Sequence, residues 1–444
     1  MKTIAAISTP TGAGAIGIVR LSGSSSLKII NEIFVAKNKK PVESHTLRYG
    51  HIMDGNSVTD EVLVSFMFAP NSYTKEDVVE INCHGGHLSA VAVLALCLKK
   101  GAVMAEPGEF TKRAFLNGRL DLAQAEAVID IINAETETAR NLALNTLRGK
   151  LGKEVESIKN RILEFIAFLE VAIDYPDEGY FTEAELIQEG LASDIKLIEE
   201  MLENSRWLNL IKNGIDTVIV GRPNVGKSSL LNALLKENRA IVTDIPGTTR
   251  DIITGKITMG NIPLNITDTA GLRKTSDLIE SMGQERTLEQ VEKGDLVLAV
   301  IDGSLPLTEE DINLIKSIEK NLIIVVNKKD LELKADLETL KGLGMVVHLS
   351  AKENFLTPLE EAIANLYPAN IKENITALNM RHRESLELAL NSLKPALETS
   401  RAGLSEEFIS LDLQDAYGFL NNILGEGIGE EIIDTIFSKF CLGK

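Results

Sequence analysis

Only three cysteines, Cys83, Cys97 and Cys441, occur in 444 residues. An odd number so widely spaced supports neither a disulfide framework nor a zinc-ligand pattern, and it fits a reducing cytoplasm. No long hydrophobic run is present. Residues 1–20 are broken by Ser8, Thr9, Pro10, Thr11 and Gly12, so no signal peptide is expected, and the apolar run 91–98 is far shorter than a membrane span. Basic charge is in deficit, with 46 Lys and Arg against 64 Asp and Glu and a net charge of −18. That balance argues against a broad nucleic-acid surface and leaves room only for a local basic patch. No flavin or nicotinamide fingerprint is apparent. What remains is ordinary for a globular chain: 44% hydrophobic and 25% charged residues, at a length that calls for about two to four domains.

The most informative stretch begins with the apolar run 218–220, which suits a buried parallel strand. It breaks into Gly221-Arg222-Pro223-Asn224-Val225-Gly226-Lys227-Ser228 and then into a helical pattern over 229–235. Strand, glycine loop and helix form the context of a phosphate cradle, in which backbone N–H groups and the helix N-terminus face the phosphates. In it Lys227 reaches the β- and γ-phosphates and Ser228 offers a hydroxyl to Mg²⁺. Three further segments follow, each at the end of an expected strand. Residues 262–268 end in Asp268-Thr269-Ala270-Gly271, suited to the Mg²⁺ water shell and γ-phosphate. Residues 322–326 end in Asn327-Lys328-Lys329-Asp330, where the Asp330 carboxylate accepts from guanine N1–H and the 2-amino group. Ser350-Ala351-Lys352 follows the strand 345–349 and can cover guanine O6. In this order the set points to GTP.

Two departures stand inside that set. Leu272 occupies the place where Ras-type enzymes carry a water-orienting glutamine, and a leucine has no polar atom to do this. Glu280 is a candidate substitute, although from its position alone an ordinary helix-surface glutamate is the better reading. Arg250 and Arg273 are present, but nothing in the sequence fixes either on the phosphates. A monovalent cation could supply the charge, held by Asn224 and by oxygens of residues 243–249.

Around this module the texture differs. Residues 1–118 mix strand-like runs at 16–21, 62–68 and 77–81 with a helix near 89–99, and read as a compact α+β domain. Cys83-His84-Gly85-Gly86-His87 reads as a tight glycine turn in preference to a metal site. Val155, Ile158, Ile162, Phe165, Ile166, Leu169 and Ile173 mark one helix face, stopped by Tyr175-Pro176, and a second helix is expected over 183–212. Beyond Pro368, Leu386, Leu390, Leu393 and Leu397, then Leu413, Tyr417, Leu420 and Leu424, repeat the helical spacing. One-faced helices before and after the module need partners, so a helical bundle with an inserted GTP module is expected.

These segments resemble the bacterial tRNA-modification GTPase family MnmE, also called TrmE, over nearly the whole chain. The resemblance rests on Gly17-Ile18-Val19-Arg20-Leu21-Ser22-Gly23, Pro70-Asn71-Ser72-Tyr73-Thr74 with Glu76-Asp77, His84-Gly85-Gly86 and Pro107-Gly108-Glu109-Phe110. It also rests on Arg113-Ala114-Phe115-Leu116-Asn117, Leu120-Asp121-Leu122-Ala123-Gln124-Ala125-Glu126-Ala127, Gly247-Thr248-Thr249-Arg250-Asp251 and Phe440-Cys441-Leu442-Gly443-Lys444.

The resemblance implies a multidomain α+β and α/β chain. Residues 1–118 would be an N-terminal α+β tetrahydrofolate-binding and dimerisation domain, 119–213 and 368–444 the two parts of an all-α helical bundle domain, and 214–367 an inserted Ras-like P-loop GTPase domain. It implies a K⁺-dependent GTPase that acts as a homodimer with an FAD-containing partner, MnmG (GidA), in a heterotetramer. The pair would add an aminomethyl or carboxymethylaminomethyl group at C5 of the wobble uridine of certain tRNAs, with a one-carbon unit from 5-formyl- or 5,10-methylene-tetrahydrofolate. The implied nucleotide contacts are Asn224, Val225, Gly226, Lys227, Ser228, Ser229, Thr243, Asp244, Ile245, Pro246, Gly247, Thr248, Thr249, Asp268, Thr269, Ala270, Gly271, Asn327, Lys328, Asp330, Ser350, Ala351 and Lys352. Within them Ser228 and Thr249 would hold Mg²⁺, and Asn224, Thr243, Ile245 and Thr248 would hold K⁺. Glu280 matches the family's water-orienting glutamate, which favours its catalytic reading. Arg20, Glu80, Arg119 and Lys444 match folate-pocket positions, Arg119 standing where lysine is more usual. Cys441 matches the family's C-terminal cysteine, of open chemical role. The competing reading is a ribosome-assembly type of GTPase switch without modification chemistry, and a third is a folate enzyme acting alone.

Overall fold

The computed structural model describes the chain except residues 11, 13, 39, 135, 176–183, 238–253, 260–261, 269–290, 293 and 368–377, and at 206–213, 237, 254 and 268 it describes the backbone alone. The chain divides into two compact units. One comprises 1–133, 143–199 and 380–444, and the other 134–142 and 200–379.

The first unit opens with β1 (Ile4–Ile7), β2 (Ile16–Ser22), α1 (Ser26–Ile33), β3 (Phe34–Ala36), β4 (Thr46–Asp54), β5 (Ser57–Met67), β6 (Val78–His84), α2 (His87–Lys99) and β7 (Val103–Met104). The strands form one sheet in the order β3-β4-β5-β6-β2-β1-β7. Alternation decides its faces. Val62, Val64 and Phe66 of β5 are buried, while Glu61 and Leu63 on the opposite face are exposed. The buried face packs on Ile29, Ile30 and Ile33 of α1 and Val93, Leu94 and Cys97 of α2. Each such side chain contributes about 1.5–3 kcal/mol by leaving water. The antiparallel register of β2 with β6 sets Arg20 opposite Glu80.

Helices follow: α3 (Glu109–Leu116), α4 (Leu122–Ile132), α5 (Glu137–Leu147), α6 (Lys150–Asp174) and α7 (Ala184–Asn213), with α3, α4 and α6 in the first unit and α5 and α7 each divided between the two units. Asp121 starts α4 with a reciprocal capping box to Gln124. The expected face of α6 is its buried face, from Val155 through Leu169.

The second unit carries β8 (Ile215–Val220), α8 (Lys227–Glu237), β9 (Thr254–Met259), β10 (Ile262–Asp268), β11 (Leu296–Asp302), α9 (Glu309–Lys316), β12 (Asn321–Asn327), β13 (Met345–His348) and α10 (Thr357–Leu366). Its sheet runs β13-β12-β11-β8-β10-β9, parallel except for the β9–β10 pair. The strands are near-continuous apolar runs because both faces are covered. Ile219, Leu298, Val300 and Val325 pack with Leu230 and Leu234 of α8 and Leu359 and Ile363 of α10. Val218, Val220, Ala299 and Ile324 pack on the other face with Ile315 of α9.

The chain then returns to the first unit with α11 (Met380–Arg401), α12 (Glu406–Leu424) and α13 (Glu430–Phe437). Their buried faces differ slightly from expectation: Ala389 and Ala416 are buried while Leu390 and Tyr417 are only half-buried. Small residues let the helices approach closely, and the larger neighbours lie at the rim. Among the described residues no helix is long and apolar enough to cross a membrane.

Candidate functional sites

In the second unit the loop after β8 is built by conformations that few residues tolerate. Gly221 has φ +145°, and a Cβ there would lie 2.3 Å from the Val300 carbonyl oxygen. Asn224 has φ +65°, in the left-handed region that asparagine tolerates. Gly226 has φ +103°, and its Cβ would meet Asn327 Nδ2 at 2.2 Å. The loop delivers Ser228 and Ser229 to the first turn of α8. Lys227 Nζ donates to the carbonyls of Gly221 and Arg222, both at 2.7 Å. Arg222 Nε reaches the buried Asp311 at 2.7 Å, so the loop is also tied to α9. This is a pre-formed anion cradle at the carboxyl edge of a parallel sheet.

The end of β12 meets that loop directly. Asn327 Nδ2 donates to Val225 O at 3.0 Å, and Asn327 Oδ1 accepts from the Ala351 backbone N–H at 3.1 Å. One buried side chain therefore joins the phosphate loop, the guanine loop and the segment 350–352. Asp330 Oδ1 accepts from Ser350 Oγ at 2.7 Å. That bond holds the half-buried Asp330 carboxyl below its ordinary range, so it remains an acceptor. Lys328 Nζ lies 2.5 Å from Asp302 Oδ2.

A second constellation lies in the first unit. Arg20 Nε donates to Glu80 Oε1 at 2.8 Å, and its Nη1 to Gly443 O at 3.3 Å. Its guanidinium carbon is 5.6 Å from the Tyr73 ring centroid and 5.5 Å from that of Phe110. The Arg119 guanidinium carbon is 4.7 Å from the same Tyr73 ring. Ser8 Oγ donates to Gly443 O at 3.0 Å, and the Phe110 N–H to Lys444 O at 3.2 Å. Gly443 has φ +88°, and a Cβ would come 2.4 Å from Ile7 O, so only glycine lets the tail lie this close to β1. Two stacked guanidiniums, a carboxylate and aromatic rings suit a planar heterocycle with amide and amino edges.

Two family models match: the MnmE helical domain over residues 122–441 and the GTP-binding protein TrmE N-terminus over residues 3–119. The tRNA modification GTPase MnmE of Lactococcus lactis subsp. cremoris strain MG1363 is 46% identical over all of this chain and 98% of its own length. Those of Geobacillus kaustophilus and Bacillus subtilis are 47% and 45% identical, over all of this chain and 99% and 100% of theirs. The chain belongs to the tRNA modification GTPase MnmE family.

Of the positions that the MnmE resemblance singles out, Asn224, Val225, Gly226, Lys227, Asn327, Lys328, Asp330, Ser350 and Ala351 lie in one connected network. Arg20, Glu80, Arg119 and the backbone of Lys444 lie in another. Residues 243–249 and 269–273, with Arg250 and Glu280, lie outside the described residues. Lys352 is exposed beside the guanine loop, and Cys441 is exposed in the tail, its carbonyl accepting from the Gly108 N–H at 3.4 Å. Cys83 is buried and donates to Gly17 O, and burial lifts its thiol pKa. His84 pairs instead with Asp60 at 2.6 Å. Among the described residues no group of three or more His, Cys, Asp and Glu is placed to hold a metal.

Sequence reading assigned no role in a site to Asp302, Ser8 or Phe110, nor to the buried cluster around Glu126. Glu126 of α4 takes Arg381 Nε at 3.1 Å and Nη2 at 2.7 Å, with His382 Nε2 at 2.8 Å. Burial alone would raise its pKa, but His382 and Arg381 outweigh it and hold the carboxyl at about 2.

Proposed function

We propose that the chain is the K⁺-dependent GTPase subunit of a tRNA-modifying complex. With an FAD-containing partner, MnmG (GidA), it adds an aminomethyl or carboxymethylaminomethyl group at C5 of the wobble uridine of certain tRNAs. Its one-carbon unit comes from 5-formyl- or 5,10-methylene-tetrahydrofolate. The observation that carries this reading is the meeting of Arg20, Glu80 and Tyr73 with residues 443–444 on the chain that also bears the guanine site. A switch GTPase has no use for such a pocket.

The division proposed is 1–118 for folate binding and homodimerisation, 119–213 with 368–444 for the helical frame, and 214–367 for GTP. Lys227 and the loop N–H groups orient the phosphates, Ser228 with Thr249 holds Mg²⁺, and Asp330 selects guanine. Oxygens of Asn224, Thr243, Ile245 and Thr248 hold K⁺, and Glu280 orients the attacking water in place of the missing glutamine. The bound cations supply positive charge to the transferring phosphoryl group. Arg20 and Glu80 orient the folate heterocycle, with Arg119 and Lys444 completing the pocket.

The test combines the purified chain and partner with 5,10-methylene-tetrahydrofolate, ammonium or glycine, GTP, unmodified tRNA and K⁺ or Na⁺ at equal ionic strength. C5-modified uridine should form only with all components and K⁺. GTP turnover without modification would favour the switch reading, modification without the partner the lone folate enzyme, and equal turnover in Na⁺ would remove the K⁺ assignment.

A further inference from the structure

We propose that Asp302, the last residue of β11, is a positioning residue for the guanine-nucleotide site: it fixes the Lys328 ammonium so that this one side chain braces the guanine loop against the phosphate loop. The inference rests on the reading of that site as the GTP site and adds to it a residue outside every motif of the set.

The geometry is specific. Asp302 is 7% exposed and its carboxylate is saturated by protein donors. Oδ2 takes Lys328 Nζ at 2.5 Å, and Oδ1 takes the Ser304 N–H at 3.0 Å and Ser304 Oγ at 2.7 Å. The same turn grips the guanine loop at both ends. The Gly303 N–H donates to Asn327 O at 2.9 Å, and Gly303 O accepts from the Lys334 N–H at 2.8 Å. A Cβ on residue 303 would stand 2.9 Å from Val326 Cγ1 and 3.0 Å from Asn327 O, so glycine is what lets the turn press on the end of β12.

Lys328 is the link. Its φ of +67° is unusual for a lysine, and its Nζ also lies 3.4 Å from Asn224 O in the phosphate loop. Asn224 has φ +65°. Two non-glycine residues in left-handed conformations, one in each loop, are thus joined through a single ammonium whose counter-charge is Asp302. If packing were all that this position required, an apolar residue would serve at the end of an otherwise apolar strand without the cost of burying a charge. A charge-assisted bond to a partly exposed lysine instead places the interaction where a nucleotide would span the two loops. The Asp302 carboxyl is held below its ordinary range: burial opposes this, but Lys328 and Ser304 outweigh it, so the brace stays charged at neutral pH. The neutral Asn327–Val225 bond is a separate tie, so losing Asp302 need not separate the loops altogether.

The experiment uses the full chain with a fluorescent GDP analogue, comparing wild type, Asp302→Asn, Lys328→Met and the double variant. Asp302→Asn keeps the shape and removes the charge. Its expected effect is a rise in GDP Kd of about 10- to 100-fold, appearing as faster dissociation. The matching loss in GTP turnover should fall on KM more than on kcat. Because Asp302 acts through Lys328, the double variant should bind no more weakly than Lys328→Met alone. Unchanged GDP affinity in Asp302→Asn, or losses that add in the double variant, would overturn the proposal. So would an Asp302→Asn chain that does not fold, since that would make the carboxylate a folding requirement. If wild type itself failed to bind GDP, the underlying site reading would fall instead, and the two failures are told apart by that first titration.

Discussion

Arg20 and Gly443 stand 423 positions apart in sequence and are joined by a hydrogen bond of 3.3 Å from the guanidinium to the glycine carbonyl. The same carbonyl takes the Ser8 hydroxyl, so β1, β2 and the segment 441–444 close over one another. An arginine bonded to Glu80, capped by two rings and anchored to a carbonyl has little freedom left, and a pocket that needs little reordering binds at lower entropic cost.

Gly443→Ala tests that closure. The new Cβ would fall 2.4 Å from Ile7 O at φ +88°, and the tail must lift. Strain of about 1–3 kcal/mol corresponds to a tetrahydrofolate Kd raised about tenfold or more. GDP affinity, set in the other unit, should not change. Calorimetric titration with each ligand separates the two.

Gly226→Ala tests the phosphate loop. Its Cβ would meet Asn327 Nδ2 at 2.2 Å, so either the Asn327–Val225 bond breaks or the loop shifts. GDP affinity should fall by more than about tenfold, because the loop N–H groups no longer point to one place. Fluorescence titration reads this, with folate binding as the unaffected control.

Asp330→Asn should exchange guanine for xanthine. In the proposed site the carboxylate would accept from N1–H and the 2-amino group, whereas an amide can donate to a 2-oxo group. GDP affinity should drop about 100-fold or more while the xanthosine diphosphate affinity rises. The bond from Ser350 lowers the Asp330 pKa, so this acceptor stays charged as pH falls to the ordinary carboxylate range. Wild-type GDP affinity should accordingly stay flat from about pH 8 to about pH 5 as far as this group is concerned, and a steep loss there would contradict it.

Glu126→Ala should destabilise the first unit by about 3–5 kcal/mol, because the Arg381 guanidinium is left without its counter-charge. The pH sign follows from the depressed pKa. The stabilisation is fully present above the ordinary value of 4.5 and is lost as pH falls from there towards about 2. Urea unfolding of wild type and variant should show a gap in midpoint that narrows across that window.

Much of the local structure was legible in advance. The strand expected at 262–268 is β10, Ile262–Asp268, and the helix expected at 183–212 is α7, Ala184–Asn213. β4 went unread because its burial alternates weakly, with Arg48 and His51 interrupting the apolar rhythm, and β3 is only three residues long. Pro395 lies inside α11, where a sequence rule would have ended a helix.

The sequence by itself determined the strand–loop–helix at 215–237, the guanine motifs and the family, because backbone preference, hydrophobic period and short motifs are set within a few residues. Tertiary structure alone decided that Asp302 holds Lys328, that Asn327 closes on Val225, that Glu126 meets Arg381, and that Gly443 accepts from Arg20. These pairs are separated by 26, 102, 255 and 423 positions, and what brings them together is strand register and helix packing, which no local window contains.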